Sequence, residues 1–133
     1  MNISKYDFHD GYIIDMKHVN DKIEIFMESA EISNEELEDN IILSDHNTIK
    51  GKLHVQGIES IEVNGKSFSG KFVKTYEEGN IYSFSIKENT VILVVSWINH
   101  PPKMQEELDF FRIEVKSDKI FWENIPDLIN PFW

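Results

Sequence analysis

Cysteine is absent from this chain of 133 residues, and proline and glycine are scarce, at 4 and 6. Without cysteine there can be no disulfide, no thiolate zinc site and no cysteine nucleophile, and the expected setting is a reducing one, the cytoplasm. Long apolar runs are missing too. The longest, Val91 to Ile98, is interrupted by Ser96, far short of the about 20 residues that a membrane-crossing helix needs. Residues Met1 to Asp15 lack the basic and apolar regions of a secretory signal, so a membrane is not an expected partner.

Cations are also few. Thirteen Lys and Arg stand against 24 Asp and Glu, a formal net charge of -11. In sequence the basic residues are dispersed rather than gathered with aromatics into a stripe, and a phosphate backbone is repelled, so nucleic acid is not an expected partner. The shortage is sharpest between Ile23 and Ile49. That stretch has no Lys or Arg but carries eight carboxylates: Glu24, Glu28, Glu31, Glu35, Glu36, Glu38, Asp39 and Asp45. Acidity is therefore regional, and a regional field shapes how a partner approaches.

What the chain has in abundance is period-two alternation bounded by turn residues, the pattern of antiparallel β structure. Gly11 to His18 and Lys22 to Glu28 form a first pair about Val19-Asn20-Asp21, with Ile23, Ile25 and Met27 on one face. Lys50 to Val55 and Ile58 to Val63 follow. Asn64-Gly65, which tolerates positive φ at both positions, then predicts a type I′ hairpin into a strand from Ser67 to Tyr76. After a turn at Glu77 to Asn80, Ile81 to Lys87 alternates Tyr82, Phe84 and Ile86 against Ser83 and Ser85. Val91 to Trp97 is apolar on both faces and reads as a central strand covered on both sides. A last pair, Phe110 to Lys116 and Lys119 to Glu123, turns at Ser117-Asp118, with Phe111, Ile113 and Val115 inward.

Helical signal is confined to Ser33 to Asn40, where Ser33 and Glu36 form a capping box, and to a short turn at Lys103 to Leu108. The tail from Asn124 packs as turns, with Leu128, Phe132 and Trp133 against the sheet. The expected architecture is a single domain over 1–133: a mainly β, antiparallel sandwich or partly open barrel of about eight to ten strands with one or two short helices.

Chemistry-bearing motifs are sparse. His9 and Asp10 place a carboxylate beside an imidazole, a pairing that serves acid-base or metal chemistry. Adjacent residues of an extended segment, however, point to opposite faces. A structural turn, with Asp10 bonding nearby backbone donors and Gly11 opening the strand, is the competing account. His9, His18, His46, His54 and His100 show neither HxH nor HExxH spacing, so no metal and no cofactor are expected. Asp7, Asp10 and Asp15 do not follow the EF-hand pattern. There is neither a nucleophile elbow nor a phosphate-cradling glycine loop, and enzyme activity is not expected. Glu31, Glu35, Glu36, Glu38 and Asp39 are the expected contact surface for a basic protein partner; a solvated face is the plainer reading of the same residues.

Phe8-His9-Asp10-Gly11 opening a strand, two alternating strands after it and a late hairpin ending in Phe121-Trp122 together resemble small uncharacterised bacterial proteins grouped with the immunity proteins of polymorphic toxin systems. That resemblance implies a protein that binds and blocks a co-encoded toxin, and it carries over no site residues. Non-enzymatic protein binding is thus the first expectation, as a monomer or a homodimer. A small-molecule-binding β-barrel with an aromatic-lined pocket is the second, and a hydrolase using His9 and Asp10 the third.

Overall fold

The computed structural model describes residues 3–33, 41–70, 78–98 and 110–128. Within them a short 3-10 helix, Ile3–Lys5, precedes seven strands: β1 (Tyr12–Val19), β2 (Lys22–Glu28), β3 (Lys50–Val63), β4 (Lys66–Ser67), β5 (Glu78–Lys87), β6 (Thr90–Ile98) and β7 (Phe110–Asn124). All pairings are antiparallel. The strand order is β2-β1-β5-β6-β7-β3-β4, and a further β2–β3 pairing closes six of the strands into a ring, with β4 appended to β3. This is the mainly β, antiparallel architecture expected, and a ring of this kind is compatible with a sandwich or an open barrel.

Alternation builds the core. Ile23, Ile25 and Met27 of β2 face inward, as do Leu53 and Val55 of β3, Val91, Leu93 and Val95 of β6, and Ile113 and Val115 of β7. They join Ile13, Ile81, Phe84 and Ile49 in one cluster, so apolar side chains occupy the interior of the ring. Each fully buried aliphatic or aromatic side chain contributes about 1.5–3 kcal/mol relative to exposure. Phe8, 2% exposed despite a left-handed φ of 55°, sets its ring edge-on to Phe84 at 5.4 Å and near Trp122 at 5.7 Å. β6 is central between β5 and β7, but Ile92 and Val94 are half-buried, so it is covered fully on one face only.

Among the described residues the strands number seven rather than about eight to ten, for a physical reason. Two breaks that read as turns are corners inside continuous strands. Gln56 pairs with Lys119 and Ile58 with Ser117, so β3 and β7 run past each other without interruption. Gly57, at φ 66°, lies against Asp118, and an added Cβ there would come 2.9 Å from the Asp118 side chain. Before the corner Val55 and its partner Ile120 face inward; beyond it Ile58 and its partner Ser117 do, three residues on rather than two or four. A backbone that must reverse its facing uses glycine at the pivot.

Other local expectations fared unevenly. Asn64 and Gly65 both take positive φ, 52° and 81°, in the two-residue turn joining β3 to β4. Glu78, Gly79 and Asn80 are strand rather than turn, because they pair with Ile98, Trp97 and Ser96 of β6 while Asn80 and Gly79 also pair with Tyr12 and Ile13. A register shift between Ile81 and Ser83 makes Tyr82 the extra residue of a bulge. Ile81 takes the inward place and Tyr82, 56% exposed, turns out. Leu128 is exposed rather than packed. The two helical expectations, most of the strand expected over 67–76, and Phe132 and Trp133 lie outside the described residues.

Candidate functional site

The candidate site is built on the weakest seam of the ring. Among the described residues, β1 and β5 share only the Tyr12–Asn80 and Ile13–Gly79 pairs. The turn before β1 extends this ladder: Asp10 N–H donates to the Ile81 carbonyl (3.0 Å), and Ile81 N–H donates to the Gly11 carbonyl (2.8 Å). The His9 side chain then adds a rung of its own. Its Nδ1 lies 2.6 Å from the carbonyl oxygen of Tyr82, the bulge residue. A carbonyl only accepts, so Nδ1 carries the proton and Nε2 is left facing the solvent side, 3.6 Å from Asp10 Oδ1.

The backbone here is held in uncommon geometry. Phe8 and Asp10, on either side of His9, both have left-handed φ (55° and 66°), conformations that persist only where surrounding structure fixes them. The burial of Phe8 and the ladder bonds of Asp10 and Gly11 supply that fixation. Asp7, not Asp10, accepts the turn's internal bond, from His9 N–H at 3.0 Å. The Tyr82 carbonyl, and after it the Asp10 carboxylate, raise the His9 pKa above its ordinary 6.5; desolvation opposes them and Asp7 adds the least. Around the imidazole stand exposed aromatics: Tyr82 meets it edge-on at 5.3 Å, and Phe110, 45% exposed, meets Tyr82 at 5.7 Å.

Beside this turn opens a cleft of about 330 Å³ walled by Lys5 to His9 on one side and Ser29 to Ile32 on the other. It brings together two residues that were far apart in the sequence reading, His9 and the exposed Glu31. Segment 29–33 is pinned there because Ser29 N–H donates to the Ile49 carbonyl and Ile32 N–H to that of Asn47, both at 2.8 Å. Glu35, Glu36, Glu38 and Asp39 lie outside the described residues. The acidic block is also less free than its composition implies. Glu28 accepts from Thr48 Oγ1 (2.5 Å) and from the Tyr12 hydroxyl, and Glu24 turns to His54 at 3.5 Å.

A second arrangement escaped the sequence reading. The outward positions of β1, β2, β3 and β7 form cross-strand rows: Asp15–Phe26–Lys52–Glu123, Lys17–Glu24–His54–Phe121 and Val19–Lys22–Gln56–Lys119. His54 stacks on Phe121 (4.6 Å, 7°), its Nε2 is 2.8 Å from Glu123 Oε1, and Lys119 lies 5.0 Å from the centre of the Phe121 ring. Lys50 and Lys52 approach the Phe26 ring at 5.5 and 5.9 Å. Basic residues dispersed in sequence are therefore gathered with aromatics on one face. The only signal for this in the sequence is the outward parity of each strand, which becomes useful once the pairing is known.

Among the described residues, no group of three or more His, Asp or Glu side chains is placed to hold a metal ion, and no helix is long and apolar enough to cross a membrane. Compared with protein-family models, with curated proteins and with solved structures, the chain has no match in any of the three. The fold and the site therefore define a class only: a ring of antiparallel strands with a polar, aromatic-edged rim.

Proposed function

We propose that this protein is a non-enzymatic binding module that recognises a basic protein partner at the rim formed by the His9 turn, the Glu31 wall and the Tyr82–Phe110 edge. The observation that carries this reading is the juxtaposition of exposed aromatics with carboxylates. Tyr82 and Phe110 stand 5.7 Å apart and expose 56% and 45% of their surface, while Asp7 and Glu31 line the adjoining cleft. Aromatic anchors beside charges that match a partner are the usual composition of an interface hot spot. Glu35, Glu36, Glu38 and Asp39 follow Glu31 directly in sequence and extend the same charge for steering. The toxin-neutralising role of immunity proteins is the particular form of binding that fits, since a toxin acting on nucleic acid presents a basic surface and an acidic rim competes for it.

The filled ring interior weighs against the small-molecule reading, which rests on a cavity with convergent polar groups. The hydrolase reading asks for further acids or histidines at His9 Nε2, where Asp10 at 3.6 Å is the neighbour found. The test is affinity capture from the native host's lysate with the unaltered chain and with a Glu31→Gln, Tyr82→Ser, Phe110→Ser variant. A basic protein held by the first and lost from the second supports the rim; equal retention by both contradicts it.

A further inference from the structure

A second surface, independent of the rim, is formed by the outer face of β1, β2, β3 and β7. Its distinguishing feature is that it gathers Lys17, Lys22, Lys50, Lys52 and Lys119 from four strands. Lys50, Arg112 and Lys116 are paired with Asp127, Glu114 and Glu59. Lys17, Lys22, Lys52 and Lys119 have no carboxylate partner among the described residues, in a chain with 24 acids. The carboxylates of the same face have partners other than these lysines, although Asp15 and Glu24 lie beside them. Glu24 and Glu123 both address His54, and Asp15 Oδ1 accepts from the Met16 N–H at 2.9 Å. Among the described residues the face thus holds four ammonium groups without a carboxylate partner, two of them, Lys52 and Lys119, resting over aromatic rings, in a protein of net charge -11.

Two clefts run along this face, of about 220 and about 170 Å³. Both are lined by Lys17 and Glu24 and so adjoin as a furrow over β2; Asp15, Phe26 and Lys52 line one end, and Val19, Lys22, His54 and Gln56 the other, so that three lysines face two carboxylates that already have partners, Glu24 with His54 and Asp15 with the Met16 N–H. Val19 is 63% exposed and offers an apolar foothold. We propose that this furrow docks an extended acidic segment of a partner polypeptide.

The spacing fits. Lys17 is opposite Glu24 in the ladder and Lys22 opposite Val19, a diagonal of about 7–8 Å. Carboxylates at alternate residues of an extended chain recur at about 6.6–6.8 Å. Charge complementarity acts here in spite of the net charge, because salt screens charges beyond about 8 Å at physiological ionic strength. Single-stranded nucleic acid fits less well, since it needs open aromatic faces for its bases. The Phe121 ring is already stacked by His54 and approached by Lys119, and Phe26 is flanked by two lysines.

The test uses fluorescence anisotropy of a labelled deca-glutamate peptide with the full chain at about 0.1 M salt. The K22E/K52E variant is expected to lower affinity about tenfold or more, whereas K66E/K87E, which changes two lysines off this face, leaves it unchanged. Circular dichroism checks that both variants fold, and K22Q/K52Q replaces the reversal variant if it does not. Absence of peptide binding by the unaltered chain overturns the proposal, as does equal loss in both variants. It is likewise overturned if an oligouridylate of equal charge binds more tightly than the peptide, or if sedimentation shows that K22E/K52E abolishes a self-association of this chain.

Discussion

His9 Nδ1 and the Tyr82 carbonyl, 2.6 Å apart, extend the short contact between β1 and β5 with a side-chain bond. Tyr82 is the extra residue of the bulge in β5, and the imidazole donates to its carbonyl as a backbone N–H would. The most conspicuous dipeptide of the sequence thereby acquires a structural duty, while the Asp10 carboxylate remains at the surface.

This bond ties stability to pH with a definite sign. The folded-state pKa of His9 is raised above 6.5 by the Tyr82 carbonyl and then by Asp10. The stabilisation is fully present below about 6.5, and it is lost as pH rises through the raised folded value. Urea unfolding at about pH 5.5 and about pH 8.5 should show that His9→Gln removes part of the decline in stability between the two, compared with the unaltered chain. An NMR titration should place the His9 midpoint above the ordinary value.

Ser117 is 1% exposed and its hydroxyl has no hydrogen-bond partner among the described residues. Removing an unsatisfied buried hydroxyl relieves its desolvation cost. Ser117→Ala is therefore expected to raise unfolding stability by about 1 kcal/mol, measured by chemical denaturation. A loss of similar size would show that the hydroxyl is satisfied in solution.

Gly51 is required by close approach. An added Cβ would lie 2.1 Å from the Glu123 carbonyl oxygen and 2.7 Å from the Trp122 ring. Gly51→Ala should destabilise by about 1–3 kcal/mol or more and shift Trp122 fluorescence, because the ring lies over this position.

Much of the ring was legible from period-two alternation. Ile23, Ile25 and Met27 on β2 and Phe111, Ile113 and Val115 on β7 face as their spacing predicts, since a half-buried strand must alternate. Facing changes were misread. Gly57 and Asp118 carry turn-forming residue types, yet they mark a corner where two long strands reverse their facing while still paired. Tyr82 continues an alternation with Phe84 and Ile86 in sequence, but one bulge residue turns it to solvent. Local pattern does not encode such features, because they are set by the partner strand.

The sites were less legible for a related reason. His9 and Glu31 meet across a cleft through the pairing of β1 with β2 and the pinning of Ser29 to Ile49. Lys17, Lys22, Lys52 and Lys119 meet only after four strands are put in register. Both are long-range consequences of topology, and neither has a spacing that a linear reading registers.

The central claim is that the rim carrying Tyr82, Phe110 and Glu31 holds a basic protein partner. The most direct measurement is hydrogen exchange of the chain alone and in complex with the partner captured from its native host. Protection concentrated at Phe8 to Gly11, Glu31 to Ser33 and Ile81 to Ser83 is the predicted result, with the Glu31→Gln, Tyr82→Ser, Phe110→Ser variant losing the complex. Protection confined to the opposite end of the ring, around the Asn20 and Glu88 turns, would contradict it.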